Sequence, residues 1–237
     1  MQNYKSKFKI LTFYIVILIF TFLIFNFTDA QASQEFLVSW QAESYVPSWY
    51  NGKILPTKGS LVEVNFELID KAKIANLSKE KVRWYINDKL MVNEENGLGL
   101  KSLRFAMPDY PGRETEIRIQ IFHYQEGSDV LDKIIRIPSV SPEAVIDAPF
   151  PDRKINVGSS SFKTSPFFFN VKNLSDFKVE WSAFGQRIEE PSPDQWSLNL
   201  NIDSRTPKGT EISLSVSIKN LLKELEFVSK SVKLLVQ

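Results

Sequence analysis

The sequence predicts an all-β chain: two tandem antiparallel β-sandwiches behind an N-terminal hydrophobic helix. Three observations carry that prediction. Apolar and polar residues alternate with period two in several short runs, as on strands with one buried face. Turn-forming residues recur between the runs, giving several short strands per hundred residues. The same blocks then occur twice in the same order.

The helix comes first. Lys5, Lys7 and Lys9 precede an uncharged apolar run from Ile10 to Phe27, and Ala30-Gln31-Ala32 follows with the small-x-small form of a signal-peptidase site. A basic start, an apolar centre and that ending describe an export signal. The lysines stay on the cytoplasmic side, so everything after Ala32 is delivered outside. As a helix the run spans about 27 Å, which also matches a bilayer core. Residues 1–32 thus read either as a signal peptide cleaved near Ala32 or as an uncleaved signal anchor.

Composition narrows the class of the exported part. Hydrophobic residues make up 43% and charged residues 24% of the chain, and the net charge is +1. Those values describe a globular protein and leave no electrostatic footprint for nucleic acid. There is no Cys, so an exported chain of this kind relies on core burial alone. Two modules of about 100 residues can supply that.

The first module is assigned to residues 35–140. Trp40 belongs to its opening strand. Val62, Val64, Phe66 and Leu68 alternate with Glu63, Asn65 and Glu67, and Ile117, Ile119 and Ile121 alternate with Glu116, Arg118 and Gln120. Asn96-Gly97, Pro108-Asp109 and Pro111-Gly112 supply turns. Pro138, Pro142, Pro149 and Pro151 mark a stiff junction, and Ala144, Val145 and Ile146 open the second module, 141–237. There Leu214, Val216 and Ile218 alternate with serines after the turn Pro207-Lys208-Gly209. A turn or two of helix is expected at most at Asp70 to Ser78 and Asn220 to Glu226.

The duplication is explicit. Asn76 to Trp84 matches Asn173 to Trp181 at a shift of 97, whereas Ser102 to Phe105 matches Ser197 to Leu200, and Thr115 to Ile121 matches Thr210 to Val216, at 95. Trp84 and Trp181 fall on the third strand of each copy, where immunoglobulin-like sandwiches bury a tryptophan between sheets. Residues 36–237 thereby resemble the bacterial immunoglobulin-like and polycystic-kidney-disease-like modules of exported surface proteins. Trp181-Ser182-Ala183-Phe184-Gly185 is similar to the core of the latter family, although Gln186 and Arg187 replace its following aspartate and glycine. Tyr50 to Pro56 with Gly59-Ser60 resembles exported proteins of small-genome bacteria. These resemblances imply an architecture and no particular activity.

Chemistry-bearing residues are scarce. His123 is the only histidine; it continues the inward row Ile117, Ile119, Ile121 and reads as a strand-end side chain, not a base. Gly158-Ser159-Ser160-Ser161 lacks the second glycine and helix of a nucleophile elbow. Glu94-Glu95 and Glu189-Glu190 read as solvated loop acids, whereas a general acid needs a raised pKa. Glu143, Asp147 and Asp152 gather near the junction, but Arg153 and Lys154 offset them. Asn76-Leu77-Ser78 and Asn173-Leu174-Ser175 read as turns whose side chains bond the local backbone.

The candidate site is aromatic. Tyr45, Trp49 and Tyr50 crowd the segment after Trp40, among Ser, Pro, Asn and Gly. Exposed rings of this kind form binding hot spots or stack on sugars; the alternative is that they cover an open end of the core. In Phe167-Phe168-Phe169, alternation sends the outer two one way and Phe168 the other. The expected protein is a non-catalytic binding or structural module of the cell surface, not an enzyme, and carries no cofactor or metal. Its partner is another protein at the cell surface, or alternatively a glycan; membrane contact is confined to residues 10–27 if they are retained.

Overall fold

The computed structural model describes residues 34–109, 112–124, 130–148, 152–189 and 194–237. The hydrophobic helix expected over 1–32, with its cleavage and anchor alternatives, lies outside these. Among the described residues no helix is long and apolar enough to cross a membrane. They form strands joined by turns, with one single-turn 3-10 helix at Leu174–Asp176.

One sheet contains β1 (Glu35–Glu43), β2 (Leu61–Asp70), β3 (Lys73–Ile74) and β6 (Ser102–Ala106). A second has β4 (Lys81–Ile86), β5 (Lys89–Val92), β7 (Glu114–Phe122) and β8 (Leu131–Pro138), in the order β5-β4-β7-β8. The third is β14-β11-β9, from β9 (Glu143–Asp147), β11 (Gly158–Phe167) and β14 (Ser197–Ile202). The fourth adds β10 (Lys154–Ile155), β12 (Phe177–Ala183), β13 (Gln186–Arg187), β15 (Glu211–Asn220) and β16 (Phe227–Val236), in the order β10-β16-β15-β12-β13. β7 is antiparallel to β4 and β8, and β15 to β12 and β16; β10 runs parallel to β16.

The chain divides into two compact units. In the smaller, which includes Glu67–Ala75, β3 folds back on the end of β2 (Ile69↔Ile74, Asp70↔Lys73). Lys71 and Ala72 both take positive φ, 49° and 60°, the pair of left-handed residues that a two-residue hairpin needs. No helix forms at Asp70 to Ser78, where a turn or two at most is expected. Lys-Ala is an unusual choice for such a turn, so no local signal in the sequence marks it.

The larger unit holds Val38–Phe66 and Asn76–Gln237, and the alternation seen in the sequence becomes burial there. Val62, Val64, Phe66, Ile117, Ile119 and Ile121 are buried, as are Leu214, Val216 and Ile218. Each fully buried side chain of this size stabilises the fold by roughly 1.5–3 kcal/mol relative to an exposed one. Trp84 and Trp181 are both fully buried. The Trp84 indole Nε1 donates to Leu100 O at 2.9 Å and the Trp181 Nε1 to Gln195 O at 3.0 Å.

These bonds and pairings correct the repeat's alignment. Trp84 pairs with Ile119 and Trp181 with Val216, so β7 and β15 are equivalent at a shift of 97, not 95. The two-residue difference is confined to the stretch that supplies Leu100 and Gln195. A slip of two leaves every side chain on its own face, so alternation alone could not detect it. The turn after each tryptophan strand is also duplicated at 97. Asn87 and Asp88 have φ of 47° and 63°, and Phe184 and Gly185 have 53° and 76°.

Candidate functional site

The aromatic segment leaves β1 and is pinned at several points. Ser44 and Ser60 share a hydroxyl hydrogen bond at 2.8 Å, and the Tyr50 N–H donates to Pro47 O at 2.9 Å, closing a turn under Trp49. Trp40 is occupied: the Lys53 ammonium lies 4.0 Å from its ring centroid and donates to its carbonyl.

Tyr45 is a strut. Its N–H donates to Phe169 O and its carbonyl accepts from the Phe168 N–H, both at 2.7 Å. The ring meets Phe177 edge-on at 5.4 Å, and burial raises the phenol pKa above its usual value.

Trp49 and Tyr50 stand on Phe167, both edge-on, at 5.7 and 5.6 Å between centroids; Tyr50 also meets Phe168 at 6.1 Å. The alternation expected for the three phenylalanines fails. β11 ends at Phe167, and Phe168 takes a φ of 60°. That left-handed residue rotates the chain, so all three rings are buried. Tyr50 folds over Gly52, where a Cβ would sit 2.3 Å from the phenol oxygen. Trp49 remains 62% exposed while Tyr50 is half-buried. The structure thus brings the three predicted residues onto the Phe167–Phe169 segment but leaves only Trp49 presented to solvent.

A cavity of about 660 Å³ opens beside Tyr45, lined also by Val46, Ile54, Lys172 and Lys223. Among the described residues no group of three His, Asp or Glu side chains could hold a metal ion. His123 departs from expectation: β7 ends at Phe122, His123 takes a φ of 55°, and its side chain is exposed. Glu94 departs too. Its carboxylate accepts from Arg83 Nε at 2.8 Å and from an Arg83 terminal nitrogen at 2.5 Å. Those bonds hold its pKa down to about 2, which suits an ion pair and not an acid catalyst. Asp152 accepts from the Lys154 N–H and pairs with its ammonium at 3.6 Å. Of the two Asn-Leu-Ser segments, Asn76 Oδ1 accepts from Ser78 N–H at 3.1 Å as expected of such a turn, whereas Asn173 caps the 3-10 turn with no side-chain bond.

The feature that sequence reasoning missed is the β15–β16 hairpin. No helix forms from Asn220 to Glu226; the segment is a turn. Leu225 is 94% exposed, Leu222 69% and Phe227 59%, yet the backbone beneath is locked. Asn220 is fully buried, and its Oδ1 accepts from Leu222 N–H at 2.8 Å and Lys223 N–H at 3.3 Å. The Glu226 carboxylate accepts from Asn220 Nδ2, from Asn170 Nδ2 at 2.6 Å and from the Asn170 N–H at 3.0 Å. The second Asn170 amide hydrogen reaches Lys58 O at 2.8 Å. The signal was there to read: three leucines and a phenylalanine within seven residues, flanked by Asn220 and interrupted only by charges.

No protein-family model matches the sequence, and no curated protein does. Among solved structures, three align over most of this chain. Three N-terminal domains of the bacteriophage RB49 Highly Immunogenic Outer Capsid protein align with a TM-score of 0.42 and 11% identity, covering 85% of this chain and 59% of that one. Fibronectin(III)-like modules of Clostridium thermocellum CbhA align at 0.28 and 14%, covering 85% and 94%. Bacteroides ovatus SGBP-B, solved with a mixed-linkage heptasaccharide, aligns at 0.24 and 11%, covering 86% and 47%. At these scores and identities no functional residue transfers to this chain.

Proposed function

We propose that this chain is a non-catalytic binding module of the cell exterior, built from two tandem immunoglobulin-like sandwiches, that engages another envelope or extracellular protein. Export rests on Lys5 to Lys9, the run Ile10 to Phe27 and Ala30-Gln31-Ala32. The observation that carries the reading is the locked hairpin. Large apolar side chains in water are unfavourable by roughly 25 cal/mol per Å², and a flexible loop would fold them inward. Here the Asn170–Asn220–Glu226 network holds Leu222, Leu225 and Phe227 out. Clustered exposed apolar side chains rimmed by polar residues are the form of a protein-contact patch.

Replacing Leu222 and Leu225 together by Ser tests this. Cross-linked pull-down from native cells, read by mass spectrometry, should recover a partner with the parent chain and lose it with the variant at unchanged melting temperature. Recovery of the same partner by both would refute the hairpin's role.

A second reading has its own observation. Trp49, propped on Phe167 and 62% exposed, offers a flat ring of the kind that stacks on sugars. It predicts that Trp49→Ser lowers retention on purified cell-wall glycan while leaving protein capture intact.

A further inference from the structure

β16 is paired by β15 along its whole length, from Lys219↔Phe227 to Glu211↔Leu235. Its other edge is taken only at the end, where β10 pairs Lys154↔Leu235 and Ile155↔Val236. The hydrogen bonds show which groups face that edge. Leu235 N–H donates to Arg153 O at 2.8 Å and Gln237 N–H to Ile155 O at 3.0 Å, whereas Val236 N–H donates to Thr210 O on the β15 side. Alternation along a strand then turns the main-chain groups of Ser229, Ser231 and Lys233 to the free edge. Among the described residues no strand pairs with them. Beside the edge lies a groove of about 540 Å³, lined by Ala144 to Ile146 of β9 and Val228 to Val232 of β16. Ile146, Val228 and Val232 are only partly buried against the core there.

Lys230 is out of place. Val228, Val232, Leu234 and Val236 turn to the core at alternate positions, so Lys230 shares their face, opposite the buried Val216. It is nonetheless exposed, and no described carboxylate pairs with it. A charge on the inner face of an edge strand deters chance pairing. A second copy joined antiparallel about this point would set Lys230 against its equivalent, and like charges directly opposite are destabilising. Arg153 at the groove adds a second cation against the single acid Glu143.

We propose that this seam receives an extended segment of a partner protein as an added strand, and that it selects a carboxylate placed between two apolar residues. The proposal rests on the protein-binding reading and specifies how contact is made. The incoming backbone continues the ladder that β10 begins, through Ser229, Ser231 and Lys233. Directly opposite residues share a face. Its alternate side chains therefore cover Val228 and Val232 while its acid meets Lys230, giving the pattern apolar-x-acidic-x-apolar.

A labelled peptide with the core valine-threonine-glutamate-threonine-valine, titrated against the full chain in detergent by fluorescence anisotropy, tests it directly. It should bind at least tenfold tighter than the same peptide with lysine for glutamate, and Lys230→Glu should reverse that preference. Ser229→Pro removes an N–H that faces the seam and spares the β15 ladder, so it should lower affinity at least tenfold with the melting temperature kept. If neither peptide binds, Lys230 is a guard against pairing only and the proposal fails. Equal affinity for both peptides, or binding indifferent to Ser229→Pro, also overturns it. The outcome separates from that of the pull-down: a partner captured equally by the Ser229→Pro chain leaves the binding reading standing and removes the seam from it.

Discussion

Single residues here act through specific partners. Glu94 shows this: two hydrogen bonds from Arg83 hold its pKa at about 2, below the ordinary 4.5, and the Arg83 guanidinium also lies 4.5 Å from the Phe122 ring. A folded pKa below the unfolded one contributes stability above the unfolded value and loses it as pH falls through the folded value. The contribution of Glu94 is therefore complete above about pH 4.5 and gone below about pH 2. Glu94→Gln should be less stable than the parent at pH 7, with the gap closing between pH 5 and pH 2 in denaturant melts. A gap independent of pH would mean the pair does not form in solution. Gly99 is equally specific. It has a φ of 64°, and a Cβ there would lie 2.3 Å from Leu77 O. Gly99→Ala should destabilise the chain by more than the roughly 1 kcal/mol of an ordinary glycine position, measurable in the same melts.

At the scale of an element, the β15–β16 hairpin depends on one buried amide. Asn220→Ala deletes two acceptor contacts and leaves Glu226 with one donor fewer. Breaking such buried bonds costs about 1–3 kcal/mol. The local consequence is the sharper test: amide exchange at Leu222 and Lys223 should accelerate in the variant while β12 and β15 stay protected. Uniform acceleration would show that Asn220 supports the whole sheet and not the tip. The apolar cluster of this element is visible in the sequence, but its conformation is not, because its charged and apolar residues fit helical and hairpin readings equally. The deciding contacts come from Asn170, fifty residues away.

For the whole molecule, the decisive groups are the two tryptophans. Each is fully buried, and its indole N–H donates to a backbone carbonyl, that of Leu100 or Gln195. Truncation to Ala should cost about 3–5 kcal/mol, the loss typical of a large core aromatic. If the chain consists of two modules, Trp84→Ala and Trp181→Ala should each lower a different part of a calorimetric profile. A single transition lowered equally by both would mean that the sheets before and after the proline cluster unfold as one. Tyr45 bears on the result, since its bridge to Phe169 ties the segment after β1 to a later core.

The all-β class, the strands with one buried face and the paired tryptophans are legible in the residue pattern alone. Each follows from a period of two in apolar residues, which any strand pairing must respect. The three-dimensional structure, through strand pairing, sets the register of the repeat, because a slip of two preserves every face. It alone revealed that Phe168 breaks alternation, since a left-handed phenylalanine is held by packing and not by local preference. It also set which rings face water: Trp49 and Tyr50 are neighbours that both stand on Phe167, yet Tyr50 also meets Phe168 and folds over Gly52 and is half-buried, whereas Trp49 is 62% exposed. Exposure is a property of what the rest of the chain brings alongside, and composition carries no record of it.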